Sequence, residues 1–211
     1  ELKFQPDAVA LQHGYSQGQF RGADHCFWPN AVLDRGEHIG RWLDGYELDL
    51  DFEVKCEDPT DERRGLAVIY PSSVSINSAW LPGLGLGFWR DLIGGAIPSR
   101  LATGVIGAFW DMPWSTQFDL SRVIDLVGQT TLKQVAGVLR EARVVVGVIS
   151  GMTILANHFK TPCVALCPDR FAEGFPRAWV KPNAPYEVLR ASEIRSAQQV
   201  EELALSIARQ P

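Results

Sequence analysis

The pattern of apolar and polar residues becomes regular after residue 64. From there on, short runs of consecutive apolar residues alternate with segments in which apolar residues recur every three or four positions. The clearest apolar run covers residues 144–149, and the clearest helical repeat covers residues 132–139. Continuously apolar strands that alternate with amphipathic helices are typical of a parallel sheet covered on both faces. We therefore predict an α/β fold with a doubly wound parallel sheet over residues 64–211.

The individual elements follow from the same pattern. The predicted strands are 66–70, 103–108, 125–127, 144–149 and 162–167, and the predicted helices are 87–97, 115–124, 132–139, 152–158 and a last one that opens at Ser196. Residues 1–63 are less regular, with a short strand at 26–28 and an alternating strand at 46–54. They predict a short N-terminal α+β segment. The charged stretch 57–64 reads as a linker.

Composition and charge narrow the class of protein. The chain has 211 residues, of which 46% are hydrophobic and 21% charged, as in ordinary globular proteins. The net charge of −5 argues against a general nucleic-acid-binding protein. No apolar run is long enough to cross a bilayer, and no secretory signal follows Glu1. We expect a cytoplasmic protein that begins after processing or inside a longer gene product.

The four cysteines give a second indication of the compartment. Cys163 and Cys167 are four residues apart in a predicted strand, so both point to the same packed layer. Neither these two nor Cys26 and Cys56 have the spacing of a zinc site. We expect buried free thiols in a reducing compartment, and no metal site.

Candidate ligand-binding loops follow from the predicted sheet, because ligands of such sheets bind beyond the carboxyl ends of the strands. The most informative loop is Ser150-Gly151-Met152-Thr153, where a strand runs directly into a helix. Free N–H groups and the positive end of that helix suit a phosphate, and Ser150 and Thr153 add hydroxyl groups. The alternative is that Ser150 only caps the helix.

Other loops offer weaker candidates. Asp111 follows a strand end and is a candidate acceptor for a ribose or sugar hydroxyl, although a solvated loop carboxylate is an equal alternative. Trp80 and Trp110 could stack on a ring, but packing explains them more simply. The sequence supports no Ser-His-Asp or Cys-His arrangement, so we assign no catalytic residue.

Several stretches resemble glycosyltransferase family 9, the ADP-heptose:lipopolysaccharide heptosyltransferases and their relatives. The matching stretches are Asp125-Leu-Val-Gly-Gln-Thr-Thr-Leu, Leu139-Arg-Glu-Ala, Val144-Val-Val-Gly-Val-Ile-Ser-Gly and Thr161-Pro-Cys-Val-Ala-Leu, with Tyr70-Pro-Ser-Ser and Gly107-Ala108 before them. Pro176-Arg-Ala-Trp-Val-Lys-Pro is similar to the divergent, often phage-encoded branch. The resemblance covers most of residues 26–182.

The resemblance implies a GT-B architecture, in which two Rossmann-like domains enclose the active site. Residues 64–211 would be the C-terminal domain that binds the nucleotide sugar, and residues 1–63 a remnant or the end of the N-terminal acceptor domain. Carried over by position, Ser72 and Ser73 would contact the phosphates, Asp111 the ribose, and Thr130 the base region. Ser150 and Gly151 would hold the pyrophosphate.

The chain also departs from the family pattern. The family carries Asp, Pro and His where Ile149, Met152 and Ile154 stand here, and a lysine expected shortly before Trp80 is absent. These departures make ADP-heptose a doubtful donor.

The resemblance implies a transferase that moves a sugar from a nucleoside diphosphate to a glycan or lipopolysaccharide-type acceptor. Its partners would be the nucleotide sugar and the acceptor, with no further cofactor, no nucleic acid and at most peripheral membrane contact. Two alternatives stay open: a non-catalytic binding or assembly module on a degenerate nucleotide-sugar fold, and, more weakly, a nucleotide-sugar epimerase.

Overall fold

The computed structural model describes residues 9–11, 25–27, 54, 56–71, 84–108, 111, 115–169 and 184–209. The chain divides into two compact units. The first consists of Glu1–Asp51 and Glu173–Lys181, and the second of Phe52–Ala172 and Pro182–Pro211. The boundary predicted at residue 64 stays a prediction.

In the first unit, the structure describes two short strands, β1 (Val9–Leu11) and β2 (His25–Phe27). They pair in parallel, with Ala10 opposite Cys26. The strand predicted at 26–28 overlaps β2. The strand predicted at 46–54 lies almost entirely outside the described residues.

The second unit contains a six-stranded sheet in which every strand is parallel to its neighbours. The strands are β3 (Ala67–Tyr70), β4 (Thr103–Gly107), β5 (Ile124–Val127), β6 (Val144–Val148), β7 (Cys163–Cys167) and β8 (Tyr186–Arg190). Their order across the sheet is β5-β4-β3-β6-β7-β8. This is the doubly wound order, in which the first strand lies at the centre and the chain turns back beside it. The predicted fold class is confirmed.

Within the described ranges, five α-helices connect or follow these strands. They are α1 (Leu86–Gly94), α2 (Ala96–Arg100), α3 (Leu132–Glu141), α4 (Gly151–His158) and α5 (Ala197–Ile207). Helices α1, α2 and α5 contact one another, and α3 contacts α4. Two helical groups are what a sheet that is buried on both faces requires. All five residues of β6 are accordingly buried, as its β-branched run predicts.

Cys163 and Cys167 also conform to their prediction. They begin and end β7, both are fully buried, and both are free thiols. Burial raises the pKa of the Cys167 thiol to about 12, and the pKa of Cys163 is raised as well for the same reason. Both thiols are therefore protonated and unreactive. Cys56 is free too, and its sulfur accepts a hydrogen bond from Arg140 Nη1 at 2.8 Å.

Three points of the predicted organisation need correction. Of the helix predicted at 115–124, only residue 115 is helical, residues 116–123 form turns, bends and irregular backbone, and Ile124 begins strand β5. Strand β8 was not predicted, because Glu187 and Arg190 interrupt its apolar pattern at the edge of the sheet. The stretch read as a linker packs against α3, where the Glu57 N–H donates to the Lys133 carbonyl at 3.1 Å and Pro59 is buried.

Candidate functional site

A cavity of about 440 Å³ opens at the carboxyl ends of the central strands. It is lined by Tyr70, Ile106, Gly107, Ala108, Gly128, Thr130, Leu132, Val135 and Met152. These residues come from the end of β3, the end of β4, the loop after β5 and the starts of α3 and α4. The order of the sheet reverses between β3 and β6, and this is the place where doubly wound proteins bind ligands.

A second depression, of about 700 Å³, lies at the start of α5. Its lining includes the carboxylates Glu193 and Glu202 together with Arg195 and neutral polar side chains. Two carboxylates against one guanidinium make this a poor place for a phosphate. We therefore take the smaller cavity as the candidate site.

Two glycines shape the floor of the cavity. Gly107 ends β4, and a Cβ placed there would lie 3.1 Å from Asp111 Cβ and 3.1 Å from Val127 Cγ1. Gly128 turns the chain after β5 with a φ of +68°, which glycine adopts without steric cost. Its N–H donates to the Gly107 carbonyl at 2.9 Å. The ends of β4 and β5 are thereby held together.

The start of α3 forms one wall. Thr131 caps this helix, because its side chain accepts from the Gln134 N–H while Gln134 Oε1 accepts from the Thr131 N–H. Thr130 lines the cavity with a hydroxyl that is buried and finds no hydrogen-bond partner among the described residues. Leu132, also in the wall, is 67% exposed. This wall presents an apolar surface with a single unsatisfied hydroxyl.

The start of α4 forms the opposite side. Ser150 caps the helix, accepting from the Met152 N–H at 3.2 Å, and Thr153 Oγ1 accepts from the Ser150 N–H at 3.0 Å. Thr153 is fully buried and Ser150 is 5% exposed. Both hydroxyls are thus used to begin the helix, which is the alternative that the sequence left open for Ser150.

Gly151 is the exposed residue at this helix start. A Cβ placed on it would meet nothing within 4 Å. Its N–H makes no hydrogen bond to any residue that the structure describes. An available N–H at the positive end of a helix is the feature that binds anions. Met152, the next residue, lies in the cavity wall.

Asp111 lies behind the cavity rather than in its wall. Its side chain is buried, with Oδ2 accepting from the Ala108 N–H at 2.8 Å. Tyr70, which sequence analysis did not select, lies in the wall instead. Burial, and then the charge of Asp111, raise the pKa of Tyr70 to about 12, so the phenol is neutral at physiological pH.

The structure therefore brings together part of the predicted site. Thr130 lines the cavity, and Ser150 and Gly151 adjoin it through Met152. Asp111 and Thr153 are buried beside it. Ser72, Ser73, Trp80 and Trp110 lie outside the described residues. The one signal for Tyr70 was its position as the last residue of a predicted strand.

No group of three or more His, Cys, Asp or Glu side chains among the described residues is placed to hold a metal ion. No helix in the described ranges combines the length and the apolar character that a membrane crossing needs.

The sheet order and the position of the cavity place the second unit in the class of doubly wound α/β proteins. More specifically, residues 116–199 match the model of glycosyltransferase family 9 (heptosyltransferase). This range contains much of the cavity wall, from Gly128 to Met152. The resemblance predicted from the sequence is confirmed.

Solved structures with this fold include two heptosyltransferases and one family 9 glycosyltransferase. ADP-heptose lipopolysaccharide heptosyltransferase II of E. coli matches with a TM-score of 0.55 and 13% identity, covering 84% of this chain and 51% of that one. A family 9 glycosyltransferase of Veillonella parvula matches with a TM-score of 0.60 and 15% identity, covering 96% of this chain and 67% of that one. The E. coli heptosyltransferase WaaC with ADP matches with a TM-score of 0.58 and 19% identity, covering 80% of this chain and 55% of that one.

These likenesses establish the fold. The chain spans about half the length of heptosyltransferase II. No curated protein matches the sequence.

Proposed function

We propose that this chain is the donor-binding part of a glycosyltransferase that moves a sugar from a nucleoside diphosphate to a hydroxyl of a glycan or lipopolysaccharide-type acceptor. The observation that carries the proposal is the cavity between the loop after β5 and the start of α4. The family match over residues 116–199 supports the same reaction class.

The dimensions of the site suit an elongated ligand. Neighbouring strands lie about 4.8 Å apart, so the four strand ends from β5 to β6 span roughly 14 Å. An extended nucleoside diphosphate, with a ring at one end and phosphates at the other, fits such a span. The apolar wall of Leu132 and Val135 receives the base, with the Thr130 hydroxyl as its polar partner.

The phosphates then reach the start of α4. The Gly151 N–H and the positive end of the helix bind the diphosphate. The same groups stabilise the negative charge that develops on the diphosphate as the glycosidic bond breaks. The proposal needs no cofactor besides the nucleotide sugar. The resemblance assigns the base that deprotonates the acceptor to the acceptor domain, and we name no residue for it.

The buried free thiols of Cys163 and Cys167 support a cytoplasmic location, where thiols are kept reduced. We propose that the protein meets its nucleotide sugar there.

Calorimetry with ADP, UDP, GDP and their sugar derivatives tests the proposal, with Gly151→Asp as the decisive variant. The new side chain has room, and a carboxylate at a helix start stabilises the helix by about 0.3–1 kcal/mol. It also repels a bound diphosphate. We therefore expect equal or higher stability together with at least tenfold weaker nucleotide binding.

The matched control is Gly87→Asp. Gly87 lies in the first turn of α1, is exposed, and also has open space around its Cβ position. This variant should leave nucleotide affinity unchanged. Wild-type protein that binds none of the nucleotides, or equal affinity in Gly151→Asp, contradicts the proposal.

A non-catalytic binding module is the second candidate. It is favoured by Ile149, a 1% exposed apolar residue at the position where the family pattern has an aspartate. Nucleotide binding without sugar transfer, measured on the full-length protein with candidate acceptors, would support this candidate. Transfer would exclude it.

A further inference from the structure

Tyr70 occupies the middle of the candidate site. It is the last residue of β3, which lies between β4 and β6 at the point where the sheet order reverses. Gly147 is its partner on β6, and a Cβ there would lie 2.5 Å from the Tyr70 carbonyl oxygen and 2.9 Å from Tyr70 Cβ. Glycine at position 147 therefore leaves the space that Tyr70 fills. A ligand that extends from Thr130 to Gly151 passes Tyr70 halfway.

The surroundings of the phenol indicate which part of a ligand it can bind. Asp111 places a buried carboxylate beside the same cavity, where Oδ2 accepts from the Ala108 N–H at 2.8 Å and lies 3.2 Å from the Cβ position of Gly107 in the wall. Its charge contributes to the raised pKa of Tyr70. None of the described residues that line the cavity is charged at neutral pH. A negative charge behind the wall disfavours a phosphate at this point and favours a neutral group. The phenol is neutral and can both donate and accept a hydrogen bond.

The Tyr70 hydroxyl forms no hydrogen bond with any residue that the structure describes. It is therefore available to a ligand. In a nucleoside diphosphate, the neutral group between the base and the phosphates is the ribose.

We propose that Tyr70 is a specificity-determining residue that hydrogen-bonds a ribose hydroxyl of the donor nucleotide, and that Asp111 is a positioning residue behind it. This assignment rests on the proposed function. The sequence predicted that Asp111 contacts the ribose directly. In this proposal Asp111 acts on the ribose through Tyr70.

The test compares ribonucleotides with their deoxy forms by calorimetry. The tightest binder among ADP, UDP and GDP is titrated into wild-type protein and into Tyr70→Phe, together with its 2′-deoxy and 3′-deoxy forms. Wild-type protein should prefer the ribonucleotide over at least one deoxy form by about five- to tenfold, the value of one hydrogen bond. Tyr70→Phe should lose this preference by weakening only the ribonucleotide, and its thermal unfolding should be unchanged.

Asp111→Asn tests the positioning role, because asparagine keeps an oxygen for the Ala108 N–H and removes the charge. Its preference for the ribonucleotide over the deoxy form should fall. The double variant Tyr70→Phe with Asp111→Asn should bind the ribonucleotide no more weakly than Tyr70→Phe alone. The matched control is Asp119→Asn, a fully exposed carboxylate, which should change nothing.

The outcomes separate the two proposals. In one outcome, nucleotides bind while Tyr70→Phe weakens the ribonucleotide and its deoxy forms equally, or weakens neither of them. Either result overturns the ribose contact and leaves the proposed donor site intact. Additive losses in the double variant would overturn the role of Asp111. Wild-type protein that binds no nucleotide overturns both the ribose contact and the proposed function.

Discussion

Glu201 on α5 accepts a hydrogen bond at Oε1 from the main-chain N–H of Ala96, the first residue of α2, at 2.8 Å. The two residues are 105 positions apart in the chain. A Cβ on the preceding residue, Gly95, would lie 1.9 Å from the same oxygen, so only glycine leaves room for the contact. The C-terminal helix thereby caps a helix from the first βαβ crossover of the sheet.

Removing this carboxylate should destabilise the second unit. Glu201→Ala leaves the half-buried Ala96 N–H without this partner, which should cost about 1 kcal/mol, whereas Glu201→Gln keeps an acceptor and should cost less. Equilibrium unfolding in urea measures both. Glu202→Ala, an exposed neighbour on the same helix, should stay within about 0.5 kcal/mol of wild type.

The same residue should make stability depend on pH. Burial raises the pKa of Glu201 above its ordinary value, against the opposing effect of the hydrogen bonds from Ala96 and Ile97. The folded protein therefore holds this proton more tightly than the unfolded chain does. Its contribution to the free energy of unfolding is fully present below the ordinary glutamate pKa and is lost as pH rises through the folded pKa. The stability of Glu201→Gln relative to wild type should rise across that interval, and a constant difference would contradict this assignment.

Gly137 in α3 should resist the usual stabilising replacement by alanine. Glycine to alanine inside a helix normally gains about 1 kcal/mol. Here a Cβ would lie 1.8 Å from the Glu57 carbonyl oxygen, a main-chain atom that cannot rotate away. We expect Gly137→Ala to lose about 1–3 kcal/mol and to expose residues 56–60 to protease. Gly87→Ala, where the Cβ position is open, is the control and should not destabilise the protein.

At Lys160, in contrast to Gly137, we expect glycine to be more stable than the residue present. It lies two residues after the end of α4 with a φ of +58°, and the Thr161 N–H donates to the Ala156 carbonyl at 2.9 Å, as in a Schellman motif. A residue with a Cβ is strained in this conformation, so Lys160→Gly should gain about 1 kcal/mol in thermal or urea unfolding. Glu202→Gly, at an exposed position inside α5, should lose about as much. A loss in both variants would show that the turn gains nothing from glycine.

Much of the fold could be predicted from local patterns. The continuous β-branched run predicted β6, because a strand buried on both faces is apolar at every position. The apolar residues that recur every three or four positions predicted α3, because a helix buries only one face. The predicted helix over residues 115–124 failed because such short apolar spacings also suit turns that bury single residues, as Phe118 does. Strand β8 was missed because an edge strand carries polar residues.

The place of the cavity, although not its ligand, follows from a rule about strand ends. The strand-end rule selected three loops that contribute described residues to the cavity, at 107–111, 128–131 and 150–153, because it needs only the position of each strand end. It did not distinguish a residue in the wall from one behind it. The sequence selected Asp111 for the site, but Tyr70 lines the cavity and Asp111 lies behind it. Their positions depend on packing of Asp111 against Gly107 and of Tyr70 against Gly147, which the sequence does not show.

The sequence by itself determined the class of the fold, the alternation of strands and helices, and the resemblance to glycosyltransferase family 9, because these depend on the periodicity and identity of nearby residues. Only the tertiary structure decided the order of the strands, the use of the Ser150 and Thr153 hydroxyls within a helix start, and the central position of Tyr70. The order of the strands and the position of Tyr70 arise from contacts between residues far apart in the chain, such as Tyr70 with Gly147, and such contacts leave no local pattern. The Ser150 and Thr153 hydroxyls are only three residues apart, but the sequence alone allowed them either to cap the helix or to bind a phosphate.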